Sequence, residues 1–390
     1  MKSKKVLMVA GEASGDLQGA HLVEAIHRID PGVQFFGVGG ERLERAGMRL
    51  LYPSQSLSVM GIVEVLPKIR TILKALRTLR QCLGQERPDL VVLIDFPDFN
   101  LRVARYACRR KVPVVYYISP QVWAWRSGRV KQIARWVRKM IVLFPFEVPI
   151  YEKAGVDVEW VGHPLLDIVR PALSRDEAYR RFGLDPQRPA IGLLPGSRMG
   201  EIERLLPRIL AAARLLRQAL PALQFVLPLA PNLNRPMVSS FLEKSPVPVT
   251  LVEGFTYDVM NIAELLIAAS GTATLEGAVL GKPMVIIYRV SGLSYWIGRA
   301  LIRVPHIGMA NLVAAKRIVP ELIQDDVQPQ RIAEECLRFL RNPDLLQQTK
   351  EAMAEVRNRL GEPGAADRAA RIIYSFLEEA KVSPGSDIRI

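Results

Sequence analysis

Short apolar runs alternate with amphipathic stretches along most of this chain. Residues 6–10, 34–38, 90–94, 113–118, 140–143 and 156–161 read as strands, with helical patterns such as residues 17–29 between most of them. Strands separated by helices predict a parallel sheet wrapped on its faces by helices. A polar, Pro-bearing stretch at residues 162–174 breaks the rhythm and reads as a linker. The pattern then restarts, with strands at 190–194, 225–229, 249–252, 265–268 and 284–287 and a long helix over 200–220. Two doubly wound α/β domains are expected, 1–165 and 166–341, followed by a helical segment, 342–390. That last segment is interrupted near Asn342-Pro343 and at residues 361–364, and its final nine residues read as frayed. Two such domains facing each other would place the carboxyl ends of both sheets on one cleft, where ligands of open α/β sheets bind.

A length of 390 residues suits two domains, each able to bury a full core. No apolar run reaches the roughly 18 residues that a membrane-spanning helix needs, and the five apolar residues after the opening Met-Lys-Ser-Lys-Lys are too few for a signal-peptide core. A cytoplasmic location is expected. Cys82, Cys108 and Cys336 form no CxxC pair and read as buried, reduced thiols, while His21, His27, His163 and His306 are scattered, so no metal site is apparent.

Charge changes the picture. The formal net charge is +14, and residues 60–141 carry 17 basic side chains against five acidic ones. One face of the first domain should therefore be strongly positive and attract a polyanion: nucleic acid, an anionic membrane surface or a phosphorylated substrate. No helix-turn-helix, RNP or zinc-knuckle pattern accompanies the charge, so no nucleic-acid binding beyond nonspecific retention is expected.

The candidate chemistry sits where strands meet helices. Gly11-Glu12-Ala13-Ser14-Gly15-Asp16 follows the first strand; its small residues permit close approach to the backbone, and Glu12, Ser14 and Asp16 supply side chains at the rim. The turn lacks the GxGxxG and Walker A spacings, and an ordinary capped turn with Asp16 as N-cap explains it equally well. Asp95 and Asp98 end the strand 90–94, where partial desolvation beside aromatic and Pro residues would suit a general base. The alternative makes Asp98 or Asn100 the N-cap of the next helix. Trp123, Trp125 and Arg126 follow the strand 113–118 and suit a sugar face or acyl chain next to a phosphate, although one tryptophan could equally be core.

In the second domain, Leu194-Pro195-Gly196-Ser197-Arg198 and Ser270-Gly271-Thr272-Ala273-Thr274-Leu275-Glu276 repeat one plan: strand, small-residue turn, helix. The first presents Arg198 to an anion; the second offers helix amides to a pyrophosphate, with Glu276 one turn in, placed for the hydroxyls of a ribose, although a capping arrangement alone would also explain Ser270 or Thr272. His163, at the linker, serves either a structural hydrogen bond or substrate contact. A 3–4 apolar spacing over residues 59–83 predicts an amphipathic helix restarted at Pro67, with basic flanks. A core-facing helix with a solvated basic face is the ordinary reading, but Met60, Ile62, Val63, Val65 and Leu66 fill more of the circumference before Pro67 than one buried stripe needs; together with Val59 and Ile69 they suit contact with an anionic bilayer.

Taken together, these residues closely resemble the lipid-A-disaccharide synthase family, glycosyltransferase family 19. The resemblance runs nearly end to end through GEASGD at 11–16, SVMGIVEVL at 58–66, IDFPDFN at 94–100, SPQVWAWR at 119–126, VGHPLLD at 161–167, LPGSR at 194–198 with Glu201, SGTATLE at 270–276, and NLVA with VPELIQ at 311–314 and 319–324. It implies two Rossmann-like doubly wound domains of the GT-B type. The implied reaction joins UDP-2,3-diacylglucosamine to 2,3-diacylglucosamine 1-phosphate, giving a β-1,6 disaccharide and UDP. No cofactor or metal is implied. The enzyme would be peripheral on the cytoplasmic face of the inner membrane, with its C-terminal helices packing back on an N-terminal domain and exchanged in a homodimer. Asp98 is then the first choice for the base and Asp95 the second. Asn311, Glu321 and Gln324 would line the donor side. A soluble UDP-sugar transferase or epimerase of the same fold would account for the donor motifs equally well, but leaves the amphipathic basic segment idle.

Overall fold

A computed structural model describes residues 4–57, 62–124, 128–292, 295, 299 and 304–382. The chain forms two compact units, one made of Met1–Pro164 with Gly361–Ile390 and the other of Leu165–Leu360.

The first unit is built on a seven-stranded parallel sheet in the order β3-β2-β1-β4-β5-β6-β7. The strands are β1 (Lys5–Ala10), β2 (Gln34–Gly39), β3 (Arg49–Pro53), β4 (Leu90–Ile94), β5 (Val114–Tyr117), β6 (Lys139–Val142) and β7 (Val158–Trp160). Val6 to Ala10 and Leu90 to Ile94 have no exposed surface, because helices cover both faces of the sheet and a continuous apolar run is what such a strand requires. The strand order reverses between β1 and β4, which pair from Val6↔Leu90 to Ala10↔Ile94. Their carboxyl ends therefore form the switch point at which doubly wound sheets bind ligands.

The second unit repeats the plan with six parallel strands in the order β10-β9-β8-β11-β12-β13. They are β8 (Ala190–Leu194), β9 (Gln224–Leu229), β10 (Thr250–Glu253), β11 (Leu265–Ala269), β12 (Met284–Tyr288) and β13 (Glu321–Ile323). Here the reversal falls between β8 and β11. The helix Met199–Ala219 buries Ile202, Leu205, Leu206, Ile209 and Leu216 over this sheet, together with Phe225 and Ile267.

The C-terminal segment divides. The helix Pro343–Arg359 stays in the second unit, burying Met353 and Val356 while Arg359 Nη1 donates to the carbonyls of Val313 and Ala314. The chain leaves that unit at Gly361, so residues 342–360 do not join the first domain as the sequence reading had them. Only the helix Ala365–Val382 belongs to the first unit, where it packs on the helix Ala13–Ile29 with Ala369, Ile373 and Leu377 buried. Lys4 Nζ donates to Tyr374 Oη at 2.6 Å and Arg28 pairs with Asp367 at 2.6 Å, while Arg368 Nε donates to the carbonyl of Val161 at 2.8 Å.

Two further expectations are corrected. The helix after β1 begins at Ala13, inside the motif rather than after it, and Glu12 is its N-cap. The helix Ile62–Gln85 runs through Pro67 instead of restarting there. Among the described residues no helix is long and apolar enough to cross a membrane.

Candidate functional site

At the switch point of the first unit, Gly11 and Glu12 alone connect β1 to its helix. A Cβ on Gly11 would lie 2.2 Å from Cδ1 of Phe96, so the ring of Phe96 seats on the glycine backbone. Glu12 and Ser14 are exposed at this edge. Asp16 is buried, and its carboxylate accepts from the backbone N–H groups of Gly40 at 2.6 Å, Arg42 at 3.1 Å and Leu43 at 3.2 Å. It caps the short helix Glu41–Arg45 across the sheet, rather than its own helix, and is committed to structure rather than to a rim.

Asp95 and Phe96, directly after β4, both hold left-handed backbone, at φ 43° and 47°. Such conformations cost on the order of 1–3 kcal/mol each and persist where surroundings enforce them. Two buried donors do so: the carbonyl of Asp95 accepts from Asn100 Nδ2 at 2.7 Å and from the hydroxyl of Tyr116 at 2.5 Å. Asn100 also donates to the carbonyl of Ile94 at 3.1 Å. It acts from within the helix Pro97–Arg109, whose N-cap position is Phe96, so neither Asn100 nor Asp98 caps that helix.

The two aspartates differ sharply. Burial, followed by the nearby negative charge of Glu12, lifts the half-buried Asp95 carboxyl to about 6; its backbone hydrogen bond and Arg129 oppose the rise. The side chain of Asp98 is 70% exposed and paired at 2.5 Å with Arg129, which is itself only 8% exposed. A carboxyl tuned to about 6 can accept a proton near neutral pH, which an ordinary solvated carboxylate does poorly.

Further along the same carboxyl edge, Trp123 Nε1 donates to Glu147 at 3.2 Å, and Ser119 shares a 2.7 Å hydrogen bond with Tyr151. Trp125 and Arg126 lie outside the described residues, as do Val59 and Met60 and the side chains of Ile62, Val63, Val65 and Leu66. Ile69 is described and is 47% exposed. His163 packs against Phe144 with ring centroids 5.0 Å apart, and burial pulls its imidazole down to about 4, so it is neutral.

In the second unit, Gly196 at φ 112° lets the chain turn tightly under Glu201: an added Cβ would lie 2.2 Å from Glu201 Oε2. The Glu201 carboxylate accepts from the N–H groups of Ser197 and Arg198 and from Arg198 Nη1, at 3.0, 3.2 and 3.3 Å. It thus shapes the turn and steadies a guanidinium that remains 61% exposed.

The second turn is framed by a polar network. Ser270 Oγ donates to the carbonyl of Ile307 at 3.0 Å, and Thr274 Oγ1 donates to the carbonyl of Gly271 while accepting from Met309 N–H. Glu321 accepts from the N–H groups of Ile307 and Gly308 and from Asn311 Nδ2. Asn311 Oδ1 in turn accepts from Ile318 and Val319 N–H, and Gln324 bonds both backbone groups of Val290. Asn311, Glu321 and Gln324 therefore spend these polar atoms on holding loops in place. Gly271 and Thr272 are exposed beside this frame, with open space where a Cβ of Gly271 would be. Glu276, one turn further, is raised by burial and accepts from Tyr257 Oη at 3.3 Å.

Sequence reasoning missed Tyr116, Glu147 and Tyr257. Only Glu147 left a trace, as a lone carboxylate in the otherwise apolar run Leu143-Phe144-Pro145-Phe146-Glu147-Val148. Among the described residues no group of three or more His, Cys, Asp or Glu side chains is placed to hold a metal ion.

The fold is that of GT-B enzymes. The chain is similar to the UDP co-structure of Staphylococcus aureus MnaA, with a TM-score of 0.66 at 15% identity over 96% of this chain and 97% of that one. It is also similar to CalG4, the calicheamicin glycosyltransferase, with a TM-score of 0.61 at 16% identity over 97% and 99% of the two chains. A family model described as lipid-A-disaccharide synthetase matches residues 6–375. Proteins named lipid-A-disaccharide synthase are 52% identical in Geobacter sulfurreducens, over 96% of this chain and 98% of the relative, and 45% identical in Myxococcus xanthus, over 97% and 99%. The chain belongs to the lipid-A-disaccharide synthase family, and it is a glycosyltransferase.

Proposed function

We propose that the protein joins UDP-2,3-diacylglucosamine to 2,3-diacylglucosamine 1-phosphate, giving the β-1,6-linked disaccharide 1-phosphate and UDP. The observation that carries this reading is the Asp95 carboxyl, lifted to about 6 and fixed at the switch point of the first sheet. Passage from an α-linked donor to a β-linked product is one inversion, served by a single in-line displacement. Asp95 takes the proton of the acceptor 6-hydroxyl, that oxygen bonds to C1 of the donor sugar, and the C1–O bond to the diphosphate breaks. The burial of Asp95 favours it over the exposed Asp98 as the base. Asp98 holds Arg129 instead, a cation within the field of Asp95 and suited to the acceptor phosphate.

The turns at Gly196 and Gly271 suit the donor. Arg198 and the first amides of the helix Thr272–Val279 offer positive charge to the departing diphosphate, and Glu276 suits the ribose hydroxyls. The helix Ile62–Gln85 shows exposed Ile69 and Leu73 beside exposed Arg70, Lys74 and Arg77, a composition that suits an anionic bilayer such as the cytoplasmic face of the inner membrane. The helix Ala365–Val382 is the segment that two copies would exchange in a homodimer, since the chain crosses between units just before it. Incubation with both acylated sugars, followed by mass spectrometry, should yield the disaccharide 1-phosphate and UDP in equal amounts. Recovery of an epimerised donor, or of no product, would overturn the assignment.

A further inference from the structure

The first unit buries another carboxyl that the transfer itself does not use. Glu147, 2% exposed, lies in the turn Pro145–Glu147 after β6. It accepts from Trp123 Nε1 at 3.2 Å and, through Oε2, from the N–H of Phe144 at 3.1 Å. Ser119, whose hydroxyl shares a 2.7 Å hydrogen bond with Tyr151, also favours the ionised form of this carboxyl. Burial lifts the carboxyl to about 7, against these donors. Burying such a group is costly, and a core that needed only packing would be better served by an apolar side chain.

The indole it grips begins a row of rings. Trp123 meets Phe146 edge-on with centroids 5.4 Å apart, Phe146 stacks on Phe144 at 5.2 Å, and Phe144 contacts the neutral His163 at 5.0 Å. Trp123, Phe146 and His163 are each half-buried, keeping part of their surface at this edge. The row follows the carboxyl ends of β5, β6 and β7, the same edge of the sheet on which β4 ends, just before Asp95. An uncharged aromatic shelf on the same edge as the proposed base suits the fatty acyl groups of the acceptor and not its phosphate.

We propose that Glu147 is a positioning residue, which holds Trp123 and the Phe144 backbone so that this row of rings receives the acyl chains of the acceptor. The proposal rests on the activity inferred above and adds the place of the chains and the group that fixes it.

Steady-state kinetics of Trp123→Phe, Glu147→Gln and the double variant, with acceptors of long and short acyl chains, test it. With the long-chain acceptor, each single variant should raise the acceptor KM about tenfold, with kcat within about twofold and the donor KM unchanged. The double variant should be no worse than the weaker single one, because both break one link. With the short-chain acceptor the variants should match the wild type. Additive effects, equal losses with both acceptors, or a fall confined to kcat would overturn the proposal. Trp123→Phe keeps the carboxylate and its bond to Phe144, so it carries the test if Glu147→Gln does not fold. A wild-type enzyme that makes no disaccharide would overturn the activity as well; normal turnover with unaltered acceptor KM in both variants would overturn the role of Glu147 alone.

Discussion

The hydroxyl of Tyr116, a side chain with no exposed surface, donates at 2.5 Å to the backbone carbonyl of Asp95. The bond secures a residue that local sterics disfavour, since Asp95 sits at φ 43°. Tyr116→Phe should therefore lower kcat about tenfold while leaving UDP affinity unchanged, and should cost about 1–2 kcal/mol of stability. Turnover and calorimetric UDP titration check the first part, urea unfolding the second. A variant that loses UDP affinity in step with kcat would show general damage instead.

Asp95→Asn should lower kcat by about 10²–10⁴ while UDP still binds, whereas Asp98→Asn should lose far less. In the wild type, kcat/KM should rise tenfold per pH unit on the acid side and level off above about 6, where the Asp95 carboxyl is ionised. A larger loss in Asp98→Asn than in Asp95→Asn would return the base to Asp98.

The same carboxyl should weaken the fold. Its folded value of about 6 lies above its ordinary 3.8, so the native state holds the proton more tightly than the unfolded chain. Its contribution to stability is full below about pH 4 and is lost as pH rises through about 6, by about 3 kcal/mol at most. Asp95→Asn, which stays neutral, should thus melt above the wild type at pH 7.5 and level with it at pH 4. Equal melting temperatures at both pH values would contradict the burial of this charge.

Gly11→Ala should displace the ring of Phe96, which an added Cβ would approach to 2.2 Å. A loss of about 1–3 kcal/mol and a kcat at least tenfold lower are expected, because Phe96 directly follows Asp95. Denaturant unfolding and turnover at saturating substrate test the two effects separately.

Replacing Ile69 and Leu73 with Ser should release the protein from anionic vesicles without altering its melting temperature, since these side chains are 47% and 44% exposed. Retention equal to wild type in a sedimentation assay would remove this helix from the membrane contact.

Much of the frame is readable in the chain because a strand covered on both faces must be a continuous apolar run. β1, β4, β8 and β11 are such runs, and each switch point falls where one ends in small residues. The edge strands β3 and β13 are not: Arg49–Pro53 and the three-residue Glu321–Ile323 are mostly half-buried rather than sealed on both faces, so no continuous apolar run marks them. Site chemistry is legible only as residue type. Asp16 reads as a rim residue because its partners, at Gly40 and beyond, are brought to it by β2. Asp95 and Asp98 look alike in a string of letters; the direction of the helix beginning at Pro97 leaves one half-buried and turns the other into solvent.

The half of this protein that is made first is completed last. The helix Ala365–Val382, which covers the helix Ala13–Ile29, is translated only after all of Leu165–Leu360. At bacterial elongation speeds of about 5–20 residues per second, the nascent amino-terminal sheet waits on the order of 10–40 s for its lid.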